Sequence, residues 1–148
     1  MSRPLVALDT NLLLYAHNAD SPWHAAARRS IETLANADAP WAIPWPCVHE
    51  FLAVATNPKL VSGPEAVEGA MRQVELWMES PTLRLLGELA GHWAELRGIL
   101  KAGALRGGEV HDARIGAICR EHGVSELWSA DRDFSRVRGL RVRNPLIG

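Results

Sequence analysis

The feature that most restricts the fold of this chain is the regular alternation of short apolar runs with longer segments of helical periodicity. "LVAL" (5–8), "WAIPW" (41–45), "TLRLLG" (82–87), "ELWSA" (126–130) and "LRVRN" (140–144) have strand length and composition. Helical patterns separate the first four. A short helix is expected from Thr10, and another over 21–37, opening on Ser21 as cap with Pro22 at its first position. Pro46 suits the first turn of a helix through Thr56 with the stripe Val48, Phe51, Leu52 and Ala55. Residues 64–79 repeat Val67, Met71, Val74 and Met78, and the next helix carries Leu89, Trp93, Leu96 and Leu100 on one face. Residues 102–108 read as a loop, and 109–123 as a helix ended by Gly123. Strands alternating with helices specify an α/β fold with a largely parallel sheet. Pro44 is the one discordant residue, because it cannot donate to a ladder.

At 148 residues the chain is expected to be a single domain, 1–148, large enough to bury a core without staples. Its apolar fraction of 47% and charged fraction of 22% are those of a soluble globular protein. No stretch has the length of a membrane span and the N-terminus lacks a signal-peptide core, so a cytoplasmic protein with no membrane partner is expected. Cys47 and Cys119 lie in apolar helical patterns without metal-type spacing and read as buried free thiols. A net charge of −1 excludes a global basic field for nucleic acid. The segment after Asp133 is basic all the same, with Arg136, Arg138, Arg141 and Arg143. It suits either phosphate contact or a solvated strand edge.

The acids fall in a pattern. Asp9 ends the first strand, Glu50 lies in the opening turns of the helix after the second, Asp112 begins a helix, and Asp131 ends the fourth strand with Asp133 two residues on. Strand ends and the starts of following helices share one rim of a parallel sheet, where open α/β folds bind ligands. Each acid alone also suits an ordinary role: helix capping for Asp9 or Asp131, a first-turn acid for Asp112, a solvated face for Glu50, a turn for Asp133. Their convergence on one rim favours a shared task. Crowded carboxylates raise one another's pKa values, and a hard divalent cation relieves them. Mg²⁺ prefers oxygen donors, whereas Zn²⁺ is disfavoured without His or Cys among the ligands. Such ions activate water for attack on a phosphodiester.

Four stretches, in this order and spacing, resemble PIN-domain ribonucleases, in particular the VapC-type toxins of bacterial toxin–antitoxin pairs. "ALDTNLLLYAHNADSPWHAAA" is similar to the opening motif and puts Asp9 in the first metal-binding position with Thr10 and Asn11 beside it. "VHEFLAVATNPK" resembles the second and carries Glu50, and "HDARIGAICREHG" the third, with Asp112. "LWSADRDFSRVRGLRVRNPL" is similar to the fourth, with Ser129, Asp131, Asp133 and Phe134 in order. The resemblance covers nearly the whole chain. It implies a three-layer α/β/α fold around five parallel strands and Mg²⁺- or Mn²⁺-dependent endonucleolytic cleavage of RNA, with tRNA and rRNA as candidates. It also implies homodimers and a cognate antitoxin that wraps the toxin and blocks its site.

On this reading Asp9, Glu50, Asp112 and Asp131 are the catalytic acids and, with Asp133, the metal set. Thr10, Asn11 and Ser129 orient carboxylates, with plain backbone capping as the alternative for Thr10 and Ser129; capping at Asp9 itself is expected to fall to Thr10 or Asn11. His111, beside Asp112, is left off the catalytic list. Of the tryptophans, Trp93 and Trp128 read as core, while Trp23, Trp45 and Trp77 are candidates for a partner groove, with core or rim packing the larger share. Rival readings are weaker. An aspartyl-nucleophile phosphatase wants a second acid at position 11, which is Asn, and neither GxGxxG nor GxxxxGK[ST] occurs. A PIN-like module that binds without cleaving should lack one of the site acids, and all are present.

Overall fold

A computed structural model describes residues 4–132, 134, 137 and 139–147. The elements run β1 (Val6–Leu8), α1 (Thr10–His17), α2 (His24–Asn36), β2 (Trp41–Pro44), α3 (Trp45–Ala55), α4 (Glu65–Met78), β3 (Leu83–Leu86), α5 (His92–Gly103), α6 (Glu109–Glu121), β4 (Glu126–Trp128) and β5 (Val142–Arg143). All strand pairs are parallel, and the five-stranded sheet has the order β3-β2-β1-β4-β5. The α/β reading of the alternating pattern is thus observed.

Strand order explains the layers. The chain steps from β1 to β2 to β3 in one direction, then returns across the sheet to β4 on the other side of β1. Right-handed crossovers on opposite headings deposit helices on opposite faces. Accordingly α1 through α4 pack on one another as one group, and α5 pairs with α6 as the other. The reversal lies between β1 and β4, so the carboxyl ends of those two strands open the crevice in which doubly wound sheets take ligands.

Pro44 is accommodated at the last position of β2. It pairs in register with Leu86, whereas the pairing with β1 has already ended at Ala42. The missing N–H therefore falls where the ladder stops and α3 begins. The expected α3 stripe is in place, with Val48, Phe51 and Ala55 buried and Leu52 packed against the core.

Several sequence expectations need correction. The helix expected from Ser21 starts at His24, because Ser21 closes a preceding turn, its Oγ accepting from Trp23 N (3.1 Å) and its carbonyl from His24 N (3.1 Å). On α4 the apolar repeat marks the helix but not its buried line. Val67, Met71 and Met78 are exposed, and Ala70 and Trp77 face inward instead. Trp77 sets that rotation by packing edge-on to Phe51, 5.0 Å between ring centres. It is a core residue that also borders the cleft between α1, α2 and α4. On α5, Leu96 and Leu100 pack against the core as expected, and the buried Ile99 joins them. Leu89 and Trp93 are exposed, so the core role expected of Trp93 is wrong. Trp128 is buried as expected, and Trp23 and Trp45 are exposed. The loop expected from residue 102 is shorter, since α5 continues to Gly103. Gly123 follows α6 with φ +67°, a left-handed value that suits glycine after a helix end. Among the described residues no helix is long and apolar enough to cross a membrane.

Candidate functional site

Asp9 is the residue after β1, and its backbone N still donates to Trp128 O of β4 (3.0 Å). Its extended backbone makes it the N-cap of α1. Oδ1 accepts from Thr10 N at 2.8 Å, so capping belongs to Asp9 itself, contrary to the expectation for Thr10 or Asn11. The other oxygen has a different use. Oδ2 accepts from Ser129 Oγ at 2.7 Å and from Asn11 Nδ2 at 3.4 Å.

Ser129 follows β4 and is buried. Its hydroxyl also accepts from Asp131 N (2.9 Å) and Asn11 Nδ2 (3.3 Å). Asn11 Oδ1 in turn accepts from Ala130 N at 3.2 Å. The ends of β1 and β4 are thereby tied by side chains across the switch point. Thr10 points to the other neighbour: its Oγ1 donates to Glu50 Oε2 at 3.5 Å. Glu50 reaches this place because α3 starts at the end of β2 and carries it into the second turn, on the exposed side of the helix.

Burial dominates the electrostatics of Asp9 and pushes its pKa from 3.8 up to about 6. The Ser129 and Thr10 hydrogen bonds work against that rise, while the charges of Glu50 and Asp131 add to it. Asp9, Glu50 and Asp131 therefore feel one another. Asp112 stands half-buried in the first turn of α6. Asp133, with Arg136 and Arg138 of the basic segment, lies outside the described residues. Arg141 and Arg143 are exposed, and Arg143 sits over the Trp128 ring at 5.4 Å. His111 is exposed beside Asp112.

Among the described residues, no three His, Cys, Asp or Glu side chains stand close enough to hold a metal ion between them. The oxygen donors present suit an ion that takes one or two carboxylates and completes its shell with water and a substrate phosphate, as Mg²⁺ does. The raised pKa of Asp9 is the observation that fits this: four hydrogen-bond contacts do not compensate its burial, and a nearby cation would. Two clefts lie elsewhere. One of about 420 Å³ is bounded by α1, α2 and α4, and one of about 930 Å³ by the α1–α2 turn and the α3–α4 connection; none of the site acids lines either.

One contact was not anticipated. Cys47, buried as expected of a free thiol, donates its S–H to Asp9 Oδ1 across 3.7 Å. Burial holds its thiol well above the usual range, so it remains protonated. The available signal was its position three residues before Glu50 on one helix, which turns both toward the same neighbours.

Known proteins resemble this chain in sequence and fold. The family model described as the PIN domain matches residues 6–140. Ribonuclease VapC48 of Mycobacterium tuberculosis is 34% identical over 140 residues, spanning 95% of this chain and 97% of that protein. Among solved structures, VapC20 of Mycobacterium tuberculosis, described as a sarcin-ricin loop cleaving toxin, superposes with a TM-score of 0.68 at 17% identity, covering 94% of this chain and 99% of its own. A chain of a toxin–antitoxin complex from Klebsiella pneumoniae gives 0.63 at 18% identity, with 97% coverage of that chain and 95% of this one. With a domain match over nearly its whole length and a full-length relative at a third identity, this chain belongs to the PIN-domain family, among the VapC ribonucleases.

Proposed function

We propose that this chain is a divalent-metal-dependent endoribonuclease, the toxin of a toxin–antitoxin pair, acting in the cytoplasm as a single domain. The observation that carries this reading is the buried carboxylate of Asp9 at the β1/β4 switch point, held by Ser129 and Thr10 and electrostatically coupled to Glu50 and Asp131. Asp9, with Asp112, Asp131 or Glu50, would hold Mg²⁺ or Mn²⁺ directly or through water, and Asp133 is a further candidate. When bound, the ion supplies a water of lowered pKa and neutralises charge on the phosphate. The protein's own part is positional. Thr10 N–H and Ser129 Oγ–H fix the two oxygens of Asp9, Asn11 ties Ser129 to the β4 end, and Thr10 Oγ–H steadies Glu50. Full-length similarity to a ribonuclease supports the reaction type, and fold similarity to a chain of a toxin–antitoxin complex supports an antitoxin partner.

The test is incubation of purified protein with structured tRNA and rRNA, with Mn²⁺ or Mg²⁺ and with chelator, beside Asp9→Asn. Metal-dependent cleavage lost in the variant is expected. Cleavage in chelator, or undiminished cleavage by Asp9→Asn, would overturn the mechanism.

A further inference from the structure

Trp45 is the first residue of α3, which starts at the carboxyl end of β2, so it stands on the same rim as Asp9 and Glu50. Although apolar and large, its side chain remains 38% exposed. The indole lies beside His49, one helical turn on, with ring centres 5.9 Å apart and planes inclined by 32°. His49 is itself exposed and immediately precedes Glu50.

One edge of the ring faces Gly87, which has no side chain; a Cβ placed there would sit 3.8 Å from Trp45 Cδ1. Gly87 follows β3, and its carbonyl meets His122 Nε2 at 2.8 Å, while Leu89 N donates to Glu121 Oε1 at 2.8 Å. The loop beside the indole is therefore held from the end of α6. An aromatic surface that is exposed and backed by a second ring offers a flat partner a face to stack on.

Around the α3 axis, Trp45 and His49 share a side, whereas Glu50 is turned toward Thr10 of α1. A strand crossing the rim from the acids toward β3 would meet the acidic set first and the aromatic pair next. Stacking on aromatic side chains is the sequence-tolerant way proteins hold unpaired bases. Resting on the ribonuclease reading, we infer that Trp45, backed by His49, is a stacking platform for an unpaired nucleobase flanking the cleaved phosphodiester. The substrate is then RNA that is single-stranded beside its cleavage point, because a base inside a duplex offers no free face.

The test uses a fluorescein-labelled, mixed-sequence single-stranded RNA dodecamer and the same strand in duplex, both with chelator so that no cleavage intervenes. Affinity is read by anisotropy, and stacking by quenching of tryptophan emission. Trp45→Ala and Trp45→Leu are expected to weaken single-strand binding by about five- to a hundred-fold and to leave duplex binding unchanged; Trp45→Phe keeps most of the affinity. Quenching by the single strand should fall in all three. Sedimentation and thermal melting of each variant accompany the binding data. Wild-type single-strand affinity in both Trp45→Ala and Trp45→Leu, in a protein that cleaves RNA with Mn²⁺, overturns the platform and leaves the ribonuclease reading standing. Loss of binding together with a fall in molecular mass also overturns it, and assigns the surface to contact between protein chains. A wild-type protein that neither binds the dodecamer nor cleaves any RNA removes the ribonuclease reading and the platform with it.

Discussion

Ser129 Oγ donates to Asp9 Oδ2 across 2.7 Å, joining residues 120 positions apart at the carboxyl ends of neighbouring strands. That contact spans the point where strand order reverses. It gives one oxygen of a buried carboxylate a short partner while the other caps α1.

Removing it should be costly. In Ser129→Ala, Asp9 Oδ2 keeps only the long Asn11 contact, and Asp131 N loses its acceptor. A loss of about 1–3 kcal/mol is expected from denaturant unfolding at pH 7. Metal-dependent cleavage should fall about ten- to a hundred-fold. Unchanged cleavage with reduced stability would confine Ser129 to a structural role.

Asp9 predicts a distinctive pH dependence. Its folded-state pKa of about 6 lies above 3.8, so the native protein retains a proton that the unfolded chain releases. Its stabilising contribution is complete below about pH 4 and is lost as the pH rises through 6, by ~3 kcal/mol in the metal-free protein. Unfolding free energies measured with chelator across that window should show this decline, and Asp9→Asn should flatten it. Glu50→Gln or Asp131→Asn removes a charge that raises the Asp9 pKa, so each should move the decline to lower pH.

Metal should restore what ionisation removes. At neutral pH, Mn²⁺ at about a hundred times its dissociation constant should raise the melting temperature of the wild type by about 5–10 °C. Asp9→Asn should show little of this shift. An equal shift in both proteins would place the ion elsewhere.

Two backbone positions offer opposite outcomes. Ala104 ends α5 in the left-handed region (φ 51°), with Leu105 N bonded back to Leu100 O. Glycine relieves the Cβ strain of that cap, so Ala104→Gly should stabilise by about 0.5–1 kcal/mol in thermal or denaturant unfolding. Gly116 lies in the middle of α6, where a Cβ would come within 2.6 Å of Val137 Cγ1. Gly116→Ala should destabilise by about 1–3 kcal/mol although alanine is the better helix former. A more stable Gly116→Ala would mean that Val137 yields freely.

Much of this protein was legible in its residues. Strand-length apolar runs and helical periods have local causes, so the element types and the parallel α/β class followed from them. Glycine after α6 and proline at the start of α3 marked boundaries because their backbone restrictions are intrinsic. That Asp9 and Asp131 neighbour one another followed from chain direction, because each follows a strand and a parallel sheet puts all carboxyl ends on one side.

Helix rotation was the main thing not legible. Spacing such as Val67, Met71, Val74 and Met78 identifies an amphipathic helix, but the buried line depends on the neighbour that a side chain such as Trp77 finds. The same limit exposed Trp93, brought Cys47 onto Asp9 and left Trp45 open on the rim. Sequence alone determined which elements form and that Asp9 and Asp131 follow strands, because those depend on local conformational preference and chain direction. Only the tertiary structure decided which of these groups touch. That depends on strand order across the β1/β4 reversal and on side-chain packing between elements far apart in the chain.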